Sequence, residues 1–160
     1  MSKILKVHAR QVFDSRGNPT IEAEVVLDNK IKTSAIVPSG ASTGAFEAHE
    51  LRDNDKNYFL GKSVLKAVEN VNSIISKSII NLDPNDQKKI DDVLLKLDGS
   101  ENKKNLGANS LLAVSLAVRK AATILNNENY SNSIKNFSLP YPLMNIINGG
   151  AHADNDLNIQ

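Results

Sequence analysis

Two stretches of this 160-residue sequence carry side chains with chemical potential. The first, Pro38-Ser39-Gly40-Ala41-Ser42-Thr43-Gly44, sets hydroxyls between two glycines. Hydroxyl oxygens are hard ligands of the kind Mg²⁺ accepts, and closely spaced glycines free the backbone. No Gly-Lys-[Ser/Thr] follows, so this is not a P-loop, and no lysine stands ready for a phosphate. On its residues alone it reads as a plain flexible loop before it reads as an active-site lid. The second stretch, Asn148-Gly149-Gly150-Ala151-His152, ends a short apolar run. His152 could donate to a phosphate or exchange a proton, although a lone histidine is more often a hydrogen-bonded structural residue. Asp154 and Asp156 beside it read as solvated acids, and His8 and His49, without partners, as surface residues.

Other chemistries find no foothold. There is no nucleophile elbow, no His-Glu-x-x-His and no dinucleotide-binding glycine fingerprint. The absence of cysteine removes disulfides, thiolate metal sites and a cysteine nucleophile, and points to the cytoplasm. Lys+Arg 19 against Asp+Glu 18 leaves a charge of +1, too little to steer the chain onto nucleic acid or an anionic membrane. Met1 to Lys6 has no apolar export signal, and no stretch approaches the roughly 20 apolar residues of a bilayer span. Asp91-Asp92 reads as a polar helix face.

The elements that must position these residues follow from periodicity. Leu5, Val7, Ala9 and Phe13 alternate with Lys6, His8 and Arg10, as a strand with one buried face requires. Ile21, Ala23, Val25 and Leu27 repeat the pattern with Glu22 and Glu24 turned outward, and Ile31, Thr33, Ala35 and Val37 give a third copy. The joins, Asp14 to Pro19 and Asp28-Asn29-Lys30, are too short for a crossover helix, so the pairing is an antiparallel meander. Arg10 and its neighbours then lie across from Glu22 and Glu24.

After Ser63 the period becomes helical: Val64, Val68, Val71, Ile75 and Ile79. Asp83-Pro84 opens a second helix with a capping residue and a first-turn proline, Ile90, Val93, Leu94 and Leu97 form its stripe, and Gly99 ends it. A third, Ala-rich helix runs from about Ala108 to Leu125, apolar on most sides and suited to burial. Asn126 to Ser138 is polar and reads as a boundary. Beyond Pro140-Tyr141-Pro142, the run Leu143 to Ile147 reads as a fully buried strand opening a new unit. Such a strand needs neighbours for its backbone groups, so the chain reads as the front part of a longer protein, or as one half of a pairing.

Several stretches together resemble one family. They are Asp14-Ser15-Arg16-Gly17-Asn18-Pro19-Thr20, the Pro38 to Gly44 loop, Glu50-Leu51-Arg52-Asp53, Leu97-Asp98-Gly99, Gly107-Ala108-Asn109-Ser110 with Leu112-Ala113-Val114-Ser115, and Pro142 to Gly150. Their order and spacing are similar to those of the bacterial enolases, the phosphopyruvate hydratases. The resemblance implies an α+β fold. Residues 1–138 would form an enolase N-terminal-like domain, a three-stranded antiparallel meander followed by a helical bundle, and residues 139–160 the start of a truncated barrel.

It further implies a lyase of glycolysis that dehydrates 2-phospho-D-glycerate to phosphoenolpyruvate with two Mg²⁺, as a homodimer in full-length form. Residue by residue, Ser42 resembles the lid serine that ligates the second Mg²⁺, within a lid of Ser39, Gly40, Ala41, Ser42, Thr43 and Gly44. His152 looks like the loop histidine that approaches the substrate and serves catalysis, and Gln160 like the glutamine that binds it. Arg10, Arg16 and Glu22 resemble residues near the family's dimer interface. In enolases the proton-donor glutamate, three metal carboxylates, base lysine and phosphate-binding Arg-Ser pair all lie downstream of the position of Gln160. The expectation is therefore a chain inactive by itself, with a non-catalytic interaction or dimerisation module as the alternative.

Overall fold

Alternating side chains from Ile4 onward make a sheet with one dry face. The computed structural model describes residues 2–39, 44–129, 138–150 and 153–159. Its strands are β1 (Ile4–Phe13), β2 (Pro19–Leu27) and β3 (Lys32–Val37). They pair antiparallel in the order β1-β2-β3, the meander that two short connections dictate. Ile21, Ala23, Val25 and Leu27 of the central strand are wholly buried, as their spacing predicts.

The start of β1 departs from the simple alternation. Pairing shifts register between Ile4 and Lys6, so Ile4 turns into the core and Leu5 is left exposed. One irregular residue reverses the face of everything before it. Phe13, expected on the core side, is half exposed at the strand end and packs on Phe59, ring centroids 5.3 Å apart. On the opposite face Arg10 sits across from Glu22, Nη2 to Oε2 2.6 Å, while Glu24 takes Lys32 of β3 at 2.8 Å.

The first helical region is α1 (Leu65–Asn70), a π-helical stretch over Val71–Ile75, and α2 (Ser76–Ile79). Val64, Val71, Ile75 and Ile79 are all fully buried. Steps of four residues drift around a 3.6-residue turn, and the wider π turn holds Val71, Ile75 and Ile79 on one side. Helix α3 (Gln87–Asp98) starts later than Asp83-Pro84 suggests. The Asp83 carboxylate instead accepts from Asn85 N at 2.9 Å in a local turn, and Asp86 is the cap, accepting from Lys89 N at 3.1 Å. Ile90 and Leu94 are buried, and Gly99 ends the helix at φ 67.

Helix α4 (Ala108–Leu125) keeps its expected bounds and is the central packing element, lying on β2 and β3 with α3 alongside. By length and composition alone it could cross a membrane, which corrects the reading that no stretch approaches a bilayer span, yet 56% of it is buried inside the domain, as in a core helix. Leu143 to Ile147 forms no strand, which corrects the sequence reading. Among the described residues no second strand lies beside it to accept its backbone groups, and Leu143 and Ile146 are almost fully exposed.

Candidate functional site

The turn between β1 and β2 is built around Asp14. Its Oδ1 accepts from Arg16 N and Asn18 N, both at 2.8 Å, and Gly17 takes φ 75 to close the turn. Hydrogen bonds from the Asn18 backbone lead the effects that hold the Asp14 carboxyl below its ordinary pKa. Fixed in this way, Arg16 extends Nη2 to the carbonyl of Ser39, 2.6 Å away. The Thr20 hydroxyl donates to the Val37 carbonyl, so the chain is held at successive points as it leaves β3.

Arg52 holds the same place from the other side. Its Nη2 donates to Ser39 Oγ and Glu50 Oε1, both at 2.8 Å, and its Nε to Glu50 Oε2 at 3.2 Å. Its Nη1 donates to the carbonyls of Pro19 and Lys62. Every N–H of the guanidinium thus has an acceptor. The next residue, Asp53, receives Leu65 N and Lys66 N at 2.9 Å and so caps the first turn of α1.

Past Gly44, the chain returns along the N-terminus of α4. His49 N donates to the Asn102 carbonyl at 2.7 Å and Ala108 N to the His49 carbonyl at 2.8 Å. Asn109 then clasps Leu51, its Oδ1 taking the Leu51 amide and its Nδ2 reaching the Leu51 carbonyl, each 3.1 Å. Only glycine fits at 107. The residue has φ +93, and a Cβ would lie 2.5 Å from Leu51 Cβ and 2.6 Å from Asn109 Oδ1. Between these anchors and α4 is a cavity of about 570 Å³ bordered by Ser39, Gly44, His49, Arg52 and Asn109.

Of the residues singled out in the sequence, Ser39 and Gly44 border this cavity. Gly40, Ala41, Ser42, Thr43, His152 and Gln160 lie outside the described residues. His8 and His49 are exposed, as read, and Asp154 and Asp156 lie in a polar bend. Asp91 does more than face solvent, since its Oδ1 accepts from Gln87 at 3.0 Å and Ser115 at 2.7 Å and ties α3 to α4. Near the second stretch, Gly150 N donates to the Leu157 carbonyl at 2.7 Å and a Cβ on Gly149 would collide with that carbonyl. No hydrogen bond among the described residues joins 138–159 to the meander domain. Nor does any group of three His, Cys, Asp or Glu among them suit a metal ion, so the described residues do not by themselves fit an Mg²⁺ site.

Residues 4–132 match the family model of the enolase N-terminal domain, and residues 136–160 that of the enolase C-terminal TIM barrel domain. The chain belongs to the enolase family. A curated relative, enolase of Pelagibacter ubique (strain HTCC1062), is 59% identical over 163 aligned positions, which cover all of this chain and 39% of the relative. The chain thus spans about two fifths of that relative's length.

Arg52, Gly107 and Asn109 lie in stretches that carry the resemblance, but no catalytic motif gave them a role. A compositional signal was available for Arg52. Only 4 of the 19 cationic residues are arginine, and the planar guanidinium offers a fork of donors that lysine lacks. Arg10, Arg16 and Arg52 each make a defined bond to a carboxylate or carbonyl.

Proposed function

We propose that this chain is the N-terminal domain and first barrel residues of an enolase, whose complete form dehydrates 2-phospho-D-glycerate to phosphoenolpyruvate. The observation that carries the reading is the match of the whole chain to part of an enolase, together with the bonds that hold Ser39 and Glu50 on either side of the Pro38 to Gly44 loop. Dehydration asks for removal of a weakly acidic C2 proton and protonation of a departing hydroxyl. The groups that enolases use for both steps are assigned beyond residue 160. This chain contributes the loop that covers the reacting centre and the first contacts to the substrate.

In this reading Ser39 to Gly44 is the lid, Ser42 offers its hydroxyl to a metal, His152 approaches the substrate to serve catalysis, and Gln160 binds it. The metal is Mg²⁺, which would supply charge stabilisation for the enolate when bound. The domain boundary is set between residues 138 and 139, a few residues after the point where the two family matches divide, between 132 and 136. The complete protein works in the cytoplasm as a homodimer, with Arg10, Arg16 and Glu22 near its interface. The Arg10–Glu22 pair at 2.6 Å supports a preset charged face there.

The test is an assay of the complete enzyme and its Ser42→Ala variant with 2-phosphoglycerate and Mg²⁺. The reading expects turnover by the first and a loss of about a hundredfold or more in the second, with melting temperature unchanged. A complete enzyme that forms no phosphoenolpyruvate ends the reading, and equal rate constants remove Ser42 from the site.

A further inference from the structure

The Ser39–Glu50 segment leaves and rejoins the domain at points that one side chain connects. Arg52 donates to Ser39 Oγ where the segment begins and bidentately to Glu50 where it ends. Its remaining donors go to Pro19 at the head of β2 and to Lys62 in the turn before α1. The Arg52 side chain is 18% exposed, and its bonds to Ser39, Glu50 and Pro19 are partly buried, which spares them some of the screening that weakens surface pairs. Arg16 adds a second hold on Ser39 through its carbonyl, and is itself set by the Asp14 turn.

We propose that Arg52 is a positioning residue for the dehydration: it fixes the separation and direction of the two ends of the Ser39–Glu50 segment. It acts through Ser39 and Glu50, not on the substrate. The inference rests on the enolase reading, because it assigns that segment to the reaction. A planar fork bound to five acceptors in four chain segments has one geometry. A lysine ammonium, with three donors at a single point, cannot reach them together. Misplacement by about 1 Å of groups that must meet a substrate costs around a hundredfold in rate.

Two measurements test this. In the complete enzyme, Arg52→Lys and the milder Ser39→Ala should lower kcat, the first by about tenfold to a hundredfold, with the substrate KM little changed. In the 160-residue chain, hydrogen exchange of Arg52→Lys should accelerate over 37–39 and 44–50 while α4 keeps its wild-type rate. Wild-type kcat in both variants overturns the proposal, as does exchange that accelerates equally in α4, which would make Arg52 a general stability residue. An inactive complete wild-type enzyme instead sinks the dehydration reading, and exchange alone then decides whether Arg52 ties the segment ends.

Discussion

Asp98 shows how a single carboxylate can organise a loop. It is 3% exposed, and its Oδ1 accepts from the Ser100 amide at 3.0 Å and from the Ser100 hydroxyl, while Oδ2 accepts from Leu106 N at 2.7 Å. Burial pushes its pKa up, but those hydrogen bonds, with the Ser100 hydroxyl foremost, outweigh burial and leave it below the ordinary value. A carboxyl lowered on folding adds stability that is complete above its unfolded pKa, about 3.9, and is lost as pH falls through the folded value. Asp98→Asn should therefore cost about 1–3 kcal/mol near neutrality and flatten the acid limb of stability, checked by urea melts between neutral pH and pH about 3. At Gly107, alanine should cost more than about 1 kcal/mol by the same melts, because its Cβ enters Leu51 and Asn109 at a positive φ. Motif reading reached Asp98-Gly99 and Gly107 as signatures but not their work. The partners of Asp98 lie in a loop whose path no periodicity encodes, and Arg52 gathers acceptors from positions 19, 39, 50 and 62.

Elements held where a periodic pattern met a single environment. The central strand β2 and helix α4 were legible because most of their apolar positions face one core, although Leu112 and Ile124 of α4 stay exposed. Legibility failed where local geometry intervened: the register shift at Ile4, the Asp83 turn that delays α3, and the π stretch hidden inside an ordinary helical stripe. That π stretch has its own task at the free edge of β1. Asn72 gives Nδ2 to the Ala9 carbonyl at 3.1 Å and takes the Ala9 amide on Oδ1 at 2.7 Å, pairing the edge as a neighbouring strand would. Asn72→Ala leaves both groups without that partner and should lower stability by about 1–3 kcal/mol, with faster amide exchange at Ala9 than at Val25. Asn72→Asp should be comparably harmful, since a carboxylate has no donor for the carbonyl.

For the whole molecule, one domain has a closed core while a following segment does not. Leu139, Tyr141, Leu143 and Ile146 are all more than four-fifths exposed, a contiguous apolar stretch that soluble surfaces rarely carry. A chain ending at Ser138 should stay monodisperse by light scattering at concentrations where the 160-residue chain associates. The meander domain was legible in the sequence, whereas the strand read at Leu143 to Ile147 is not formed, because a strand exists only with a partner. The central claim is that dehydration belongs to the complete enolase and that these residues supply its loop and first contacts alone. Incubating the purified 160-residue chain with 2-phosphoglycerate and Mg²⁺, and following phosphoenolpyruvate, tests it most directly. The account predicts no product above the uncatalysed rate, and sustained turnover by this chain alone would contradict it.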